Sequence, residues 1–180
     1  MRKSPLALLL SLICLISSHN EIQGQGYPPT DSLRQLAATC EGKDKHDLLM
    51  RIAMSTNDIA DWDATLNDAI DRCDTPAICR SRLNRIQCLF NFYSVDSAII
   101  EARESLPFIL NAKQYSFYFS TYNTFISGLF KQRRFDEARE EATTMFETAQ
   151  QVKQPVGMTI ALQVQGSMYY KLGLYDQALT

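Results

Sequence analysis

Apolar residues recur every three or four positions along most of the chain after residue 30. In one segment these positions are Phe135, Ala138, Ala142, Met145 and Ala149. Such spacing is typical of an α-helix that buries one face. The segment before it has the same spacing over residues 118–129, and a polar turn at residues 131–134 separates the two. No segment alternates as a half-buried strand would, so we predict an all-α fold.

Capping residues and breaks in the pattern locate the helices. Asp74, Thr75 and Pro76 combine a capping side chain with a proline in the first turn, which indicates a helix start. Gly173 suits the left-handed residue after a helix end, and Pro107 should kink or stop its helix. We predict helices at about residues 31–39, 44–54, 58–73, 76–92, 95–111, 114–132, 135–152 and 156–172, and a ninth beginning at about residue 175.

A short motif returns with a period of 40 along the chain. An apolar residue, an aspartate and an alanine recur at Val95, Asp96 and Ala98, at Phe135, Asp136 and Ala138, and at Tyr175, Asp176 and Ala178. A second alanine follows four residues later, at positions 102 and 142. Two alanines four apart share one helix face, so they predict close helix packing. Ala60 and Ala64 form a weaker copy, displaced by two positions from this period.

The segment from residue 166 to residue 179 resembles the inter-helix turn of a tetratricopeptide repeat. It has the family's small residue, aromatic, turn glycine, aromatic and small residue at Gly166, Tyr169, Gly173, Tyr175 and Ala178. Residues 130–142 match next best, through Phe135 and Ala138, with Ile126 at the small position and Arg133 at the glycine position. In the copy at residues 79–102, Arg82 and Arg85 stand where the family has buried apolar side chains.

The resemblance implies antiparallel helical hairpins stacked as a solenoid. The period of 40 is longer than the family's usual repeat, so the hairpins must be extended. The first helices should line a concave groove, and the family register places these exposed positions in it: Gln87, Asn91, Asn123, Ser127, Lys131, Gln163, Ser167 and Lys171. This row is polar and weakly cationic, and an ordinary solvated helix face is the alternative interpretation. Some members of the family bind the C-terminal carboxylate of a peptide with a Lys-Asn arrangement, and this sequence does not reproduce that arrangement.

The N-terminus has the pattern of a secretory signal peptide. Arg2 and Lys3 precede the apolar run of residues 5–16, which is too short to span a bilayer. Ile13 before Cys14 is too bulky for a lipoprotein signal. We therefore predict a signal peptide at residues 1–24, a secreted or periplasmic location, and one repeat domain at residues 25–180.

Charge narrows the range of partners. The chain has 18 basic and 20 acidic residues, a net charge of -2, so no basic domain for nucleic acid is expected. No later stretch is apolar for long enough to span a membrane. Membrane association is expected only through a segment beyond residue 180. The interrupted last repeat predicts that the chain is part of a longer protein and frays or self-associates at its C-terminal end.

Candidate chemistry is sparse. His46 is the one histidine after the predicted cleavage and lies in a charged run, so we expect a solvated residue. The sequence lacks GxSxG, HExxH and a phosphate-binding glycine loop. We expect no enzyme activity, no cofactor and no metal. The aromatic residues between 115 and 130 are expected in the core, with a ligand cage as the alternative, and Trp62 is expected to pack at the first hairpin.

Four cysteines follow the signal peptide: Cys40, Cys73, Cys79 and Cys88. Their spacing does not fit a zinc site. The predicted helices bring the first three to one end of a hairpin, so a disulfide is expected there, between Cys40 and Cys73 in preference. Cys88 is expected to be buried as a small apolar residue.

These observations favour a secreted or periplasmic scaffold that binds a protein or peptide in its groove. The resemblance also extends to the extracytoplasmic repeat regions of secreted bacterial repeat proteins and of membrane-bound histidine kinases and transcriptional regulators. The alternative is therefore a sensing segment whose other domains lie beyond residue 180. A hydrolase with a site near His46 or the cysteines is a third hypothesis.

Overall fold

Regular structure in this protein is helical throughout the part described by the computed structural model, residues 29–178. The predicted signal peptide lies outside these residues. The helices are α1 Thr30–Ala37, α2 Gly42–Thr56, α3 Ile59–Asp71, α4 Thr75–Phe92, α5 Val95–Asn111, α6 Tyr115–Lys131, α7 Phe135–Gln151, α8 Pro155–Lys171 and α9 Tyr175–Ala178. The all-α prediction is confirmed, and the predicted helix bounds agree closely with the observed bounds.

The chain divides into two compact units, residues 1–56 and residues 57–180. In the first unit, α1 and α2 pack through Leu33, Ala37, Leu48 and Ile52. The expectation that His46 is solvated is wrong, because its side chain is only 4% exposed. Since α2 begins at Gly42, two residues earlier than predicted, His46 lies in the second turn. It therefore shares a buried stripe with Met50 and Ala53.

The second unit is a stack of helical hairpins. After α3, the chain forms the hairpins α4–α5, α6–α7 and α8–α9, and each helix packs against the next. The first helices α4, α6 and α8 also pack side by side. We call α4, α6 and α8 the inner helices, and α3, α5, α7 and α9 the outer helices. The predicted solenoid of antiparallel hairpins is confirmed.

A three-residue turn with one left-handed residue joins most of the consecutive helices in this unit. That residue has a positive φ of 52° to 74° at Cys73, Lys113, Arg133, Lys153 and Gly173. In each turn the next N–H donates to the carbonyl five residues earlier, as from Leu174 to Tyr169 at 2.9 Å. This is the Schellman geometry. The helices α5 to α8 all have the same length, so helix and turn together repeat regularly, and two of each give the period of 40.

Paired alanines allow the outer helices to pack closely. Ala98 and Ala102 on α5, and Ala138 and Ala142 on α7, are at most 2% exposed, which confirms that prediction. The copy at Ala60 and Ala64 is wrong, since both side chains are exposed. The period does not shift in α3, so Trp62 occupies the position of Ala102, and the expected burial of Trp62 is confirmed.

Pro107 does not stop its helix. The helix α5 continues to Asn111, four residues beyond the proline. The ring of Pro107 is exposed, and so is Arg103, whose carbonyl loses its helical N–H partner there. Water can hydrogen-bond that carbonyl on the solvent side, which explains why the helix tolerates the proline.

The aromatic residues of α6 form the centre of the core, as predicted. Tyr118, Phe119, Tyr122 and Phe125 are all below 5% exposed and contact one another edge to face. The Tyr122 hydroxyl donates to Glu141 on α7 at 2.5 Å. Burial, together with this hydrogen bond, raises the pKa of Tyr122 above its ordinary value, so the phenol stays protonated and holds α6 to α7.

Arginines make the corresponding links in the preceding repeat. The Arg85 guanidinium donates to Asp63 on α3 and to Glu101 on α5. Glu101 is the equivalent, one repeat earlier, of Glu141. Arg82 donates to the fully buried Ser105 hydroxyl at 3.1 Å. Both arginines therefore replace apolar contacts by polar ones between the inner helix and the outer helices.

The four described cysteines are free thiols. The expected disulfide between Cys40 and Cys73 is therefore wrong for this structure. Cys79 and Cys88 are buried, which confirms the expectation for Cys88, and burial raises the pKa of both thiols. The Cys88 thiol donates to the Asn57 carbonyl at 3.2 Å. Neither buried thiol is placed to act as a solvent-accessible nucleophile.

Two buried serines predict opposite effects of alanine substitution. The hydroxyl of Ser81 has no hydrogen-bond partner among the described residues, and Ala161 occupies the same position two repeats later. We expect Ser81→Ala to raise the free energy of unfolding by about 1 kcal/mol, because it removes an unsatisfied buried group. We expect Ser105→Ala to lower it by about 1 kcal/mol, since Arg82 loses its acceptor. Urea denaturation measures both, and a shift of both variants in the same direction would contradict the assignment.

Candidate functional site

The predicted groove residues lie together on the exposed face of the inner helices. All eight are solvent-exposed. They repeat at the same heights of successive helices, with Gln87, Ser127 and Ser167 in one row and Asn91, Lys131 and Lys171 in the next. The face therefore extends over α4, α6 and α8, and we call it the inner face.

A pocket of about 190 Å³ opens on the inner face between α6 and α8. Five of the predicted residues line it: Asn123, Ser127, Gln163, Ser167 and Lys171. The other lining residues are apolar and were not predicted: Ile126, Phe130, Ile160, Val164 and Met168. The pocket thus combines a polar rim with an apolar floor, an arrangement typical of binding sites. Gln87, Asn91 and Lys131 lie on the same face outside this pocket.

Glycine permits the close packing that forms the pocket walls. A Cβ atom at Gly157 on α8 would lie 2.4 Å from the Phe119 ring of α6. A Cβ atom at Gly128 on α6 would lie 2.8 Å from the Ile99 side chain of α5. Because neither glycine has a side chain, α8 can rest on Phe119 and α6 can rest on α5. Larger residues at these positions would separate the helices and change the pocket.

Cations of the inner face lie over aromatic rings of neighbouring inner helices. The Lys131 ammonium lies 4.8 Å from the centre of the Phe90 ring, and Lys171 lies 5.0 Å from that of Phe130. Lys171 and Phe130 each lie one repeat after Lys131 and Phe90, so the same contact recurs in successive repeats. Such contacts contribute about 0.5–1 kcal/mol each at exposed sites. They favour the positions of the two lysines over the rings.

Arg80 is a third cation of this face. Its guanidinium lies 5.9 Å from the centre of the Phe117 ring on α6. Sequence reasoning missed it, although it precedes Gln87 by seven residues, which is about two helical turns and therefore the same face. No salt bridge joins Arg80, Lys131 or Lys171 to a carboxylate of the described residues.

The inner helices contain no aspartate or glutamate. The outer helices α3, α5 and α7 each carry at least three. Charge is therefore segregated between the two layers, although the whole chain is weakly acidic. The inner face therefore carries cations and no carboxylate of its own helices, an arrangement that favours anionic ligands.

A second, more open depression of about 410 Å³ lies between α3, α4 and α5. Its charged residues include Arg82, Arg85 and Glu101. The guanidinium of Arg85 is bound to Asp63 and Glu101, and that of Arg82 to Ser105. Because these charges are satisfied within the protein, the inner face is the better candidate site.

The described residues also limit metal and membrane interpretations. Within residues 29–178, no group of three or more His, Cys, Asp or Glu side chains is arranged around a possible metal ion. None of the helices in that range combines the length and apolar character that crossing a bilayer requires.

Comparison with known proteins gives no assignment. Neither the protein-family models nor the curated proteins contain a match to this chain. The function is therefore inferred from the geometry and charge of the inner face.

The lysine–ring contacts predict a specific NMR signature. Protons above an aromatic ring are shielded, so the ε-methylene resonances of Lys131 and Lys171 should lie upfield of those of the exposed Lys113. In Phe130→Leu we expect only the Lys171 resonance to move downfield, and in Phe90→Leu only that of Lys131. Carbon–proton correlation spectra test this. Unshifted Lys131 and Lys171 resonances in the wild-type protein would contradict the contacts.

Proposed function

We propose that this protein is a non-catalytic scaffold of the tetratricopeptide type that binds a peptide or protein segment on its inner face. The observation that carries the proposal is the pocket between α6 and α8, where an apolar floor is surrounded by Asn123, Ser127, Gln163, Ser167 and Lys171. Polar side chains at the rim can hydrogen-bond a peptide backbone, and the floor can bury a side chain.

The dimensions of the site support a peptide as the ligand. The pocket of about 190 Å³ is smaller than the roughly 300–1,000 Å³ of sites for drug-sized molecules and cofactors. The inner face continues beyond it to Gln87 and Asn91 on α4, so a bound segment can extend across three helices. A long polar face with one side-chain-sized pocket suits an extended chain.

We further propose that the protein acts after export. The charged start and the short apolar run of residues 5–16 support a cleaved signal peptide. The ligand would then be a secreted, periplasmic or surface-exposed segment. Sequencing the N-terminus of the mature protein tests this, with a start near residue 25 expected.

The binding face is tested by a triple substitution. We expect Asn123→Ala, Lys131→Ala and Lys171→Ala together to reduce recovery of the bound partner at least tenfold, because pocket rim and charge are both removed. The measurement is a quantitative pull-down from the exported protein fraction with the purified mature chain. The triple variant should keep its helical circular dichroism, since all three side chains are exposed.

The matched control replaces exposed residues at the hairpin ends. Asn111→Ala, Lys113→Ala and Lys153→Ala remove the same residue types away from the inner face. This control should recover the partner as the wild type does. Full recovery by the folded triple variant of the inner face would exclude that face as the binding site.

A further inference from the structure

The segregation of charge indicates which peptides the inner face selects. We infer that its ligand is an acidic segment that places one large apolar side chain in the pocket between α6 and α8. This inference rests on the proposed binding function and specifies its ligand. It combines three observations: helices without carboxylates, cations fixed over rings, and a pocket with the size of a single side chain.

Three cations of the inner face are available to a ligand. Arg82 and Arg85 are occupied by Ser105, Asp63 and Glu101 on the outer side of α4. Arg80, Lys131 and Lys171 lie on the inner face, each over a ring and without a carboxylate partner among the described residues. A ligand carboxylate can therefore bind them without displacing an internal ion pair.

The lysines of the inner face are partly ordered before a ligand binds. A free lysine side chain loses rotamer entropy when it binds a carboxylate. Lys131 and Lys171 have already lost part of that freedom, because Phe90 and Phe130 hold them. Because they are one repeat apart, Lys131 and Lys171 also place charges at the same height of two neighbouring inner helices. This preorganisation favours an extended ligand with separated carboxylates over a single anion.

The pocket between α6 and α8 has the size of one large apolar side chain. Its volume of about 190 Å³ slightly exceeds the roughly 150 Å³ of a cavity that holds one benzene molecule. The buried side chains of Ile126, Val164 and Met168 supply an apolar floor. Phenylalanine, leucine or methionine of a ligand fits these dimensions. Lys171 at the rim then lies beside a residue that follows or precedes that side chain.

Nucleic acid is the other polyanion that a positive face can attract. The apolar pocket and the net charge of -2 favour a peptide, since affinity for nucleic acid depends on a large excess of basic residues. A second copy of this chain is also a possible occupant, because the outer helices carry carboxylates. Both are included as outcomes of the experiment.

The test is a selection from a displayed library of random dodecapeptides on the immobilised mature protein. We expect enriched peptides to carry at least three Asp or Glu residues and one Phe, Leu or Met. Synthetic peptides then give dissociation constants by fluorescence anisotropy. Replacing their acidic residues by Asn and Gln should weaken binding at least tenfold, and raising the salt concentration should weaken it further.

Two variants that each remove two lysine charges separate the effect of charges on the inner face from the effect of net charge. Lys131→Gln with Lys171→Gln should weaken the selected peptide roughly threefold to thirtyfold. Lys113→Gln with Lys153→Gln removes the same charge at the hairpin turns and should leave the dissociation constant within about twofold. Equal effects of the two variants would overturn the inference.

The remaining outcomes distinguish the inference from the proposed function. Enriched neutral or basic peptides that lose binding on substitution of Asn123 and Ser167 would overturn the acidic ligand and keep the binding face. Absence of any enrichment that depends on these residues would overturn both. If a short oligo-dT competes with the peptide equally well, the inner face binds nucleic acid. If the protein forms a concentration-dependent dimer that Lys131→Gln with Lys171→Gln abolishes, the face binds a second copy of the chain.

Discussion

A left-handed residue in the turns after α3, α5, α6, α7 and α8 sets where each following helix begins. A positive φ at Lys113, Arg133, Lys153 and Gly173 reverses the chain within three residues. Because the helices between these turns are equal in length, every second helix starts one full repeat after its equivalent. Each of these turns has the same length and one left-handed residue, so each helix starts at the same position of its apolar stripe. The turn therefore fixes both length and phase.

The regular phase brings the inner helices into alignment and so produces the functional surface. Equivalent residues recur at equal heights, which explains why Lys131 and Lys171 make the same contact with Phe90 and Phe130. Gly157 completes the arrangement by allowing α8 to approach Phe119. The pocket is thus a consequence of helix packing, and its polar rim belongs to side chains that packing leaves exposed. The carboxylates of the outer helices do not interfere, because they lie in the other layer.

Much of this fold follows from the sequence alone. The spacing of apolar residues and the period of 40 predict the helices, since both depend on local periodicity. The row of exposed residues is predicted from the register that the resemblance to tetratricopeptide repeats implies. The errors have local physical causes. His46 is buried because α2 begins at Gly42, two residues earlier than predicted. The helix tolerates Pro107 because the proline lies on a solvent-exposed face of α5. Ala60 is exposed because the period does not shift in α3.

Other features cannot be predicted from one sequence. Among the five Schellman turns only the one at Gly173 has a residue of a type that indicates its positive φ, whereas Cys73, Lys113, Arg133 and Lys153 adopt it because the flanking helices require it. The floor of the pocket consists of ordinary core residues, such as Val164 and Met168, and whether they line a pocket depends on the separation of α6 and α8. The position of Arg80 on the inner face could have been predicted from its spacing of seven residues before Gln87. Its ring contact with Phe117 required the packed helices.

A pair of glycine substitutions tests whether the left-handed turns set the repeat. Lys153 has a φ of 54°, and Gln150 is an exposed helical residue three positions earlier. Glycine relieves the strain of a left-handed conformation but weakens a helix. The measurement is the free energy of unfolding in urea. Lys153→Gly should raise it by roughly 0.5–1 kcal/mol, and Gln150→Gly should lower it by about 0.5–1 kcal/mol. Destabilisation of similar size by both substitutions would contradict the account.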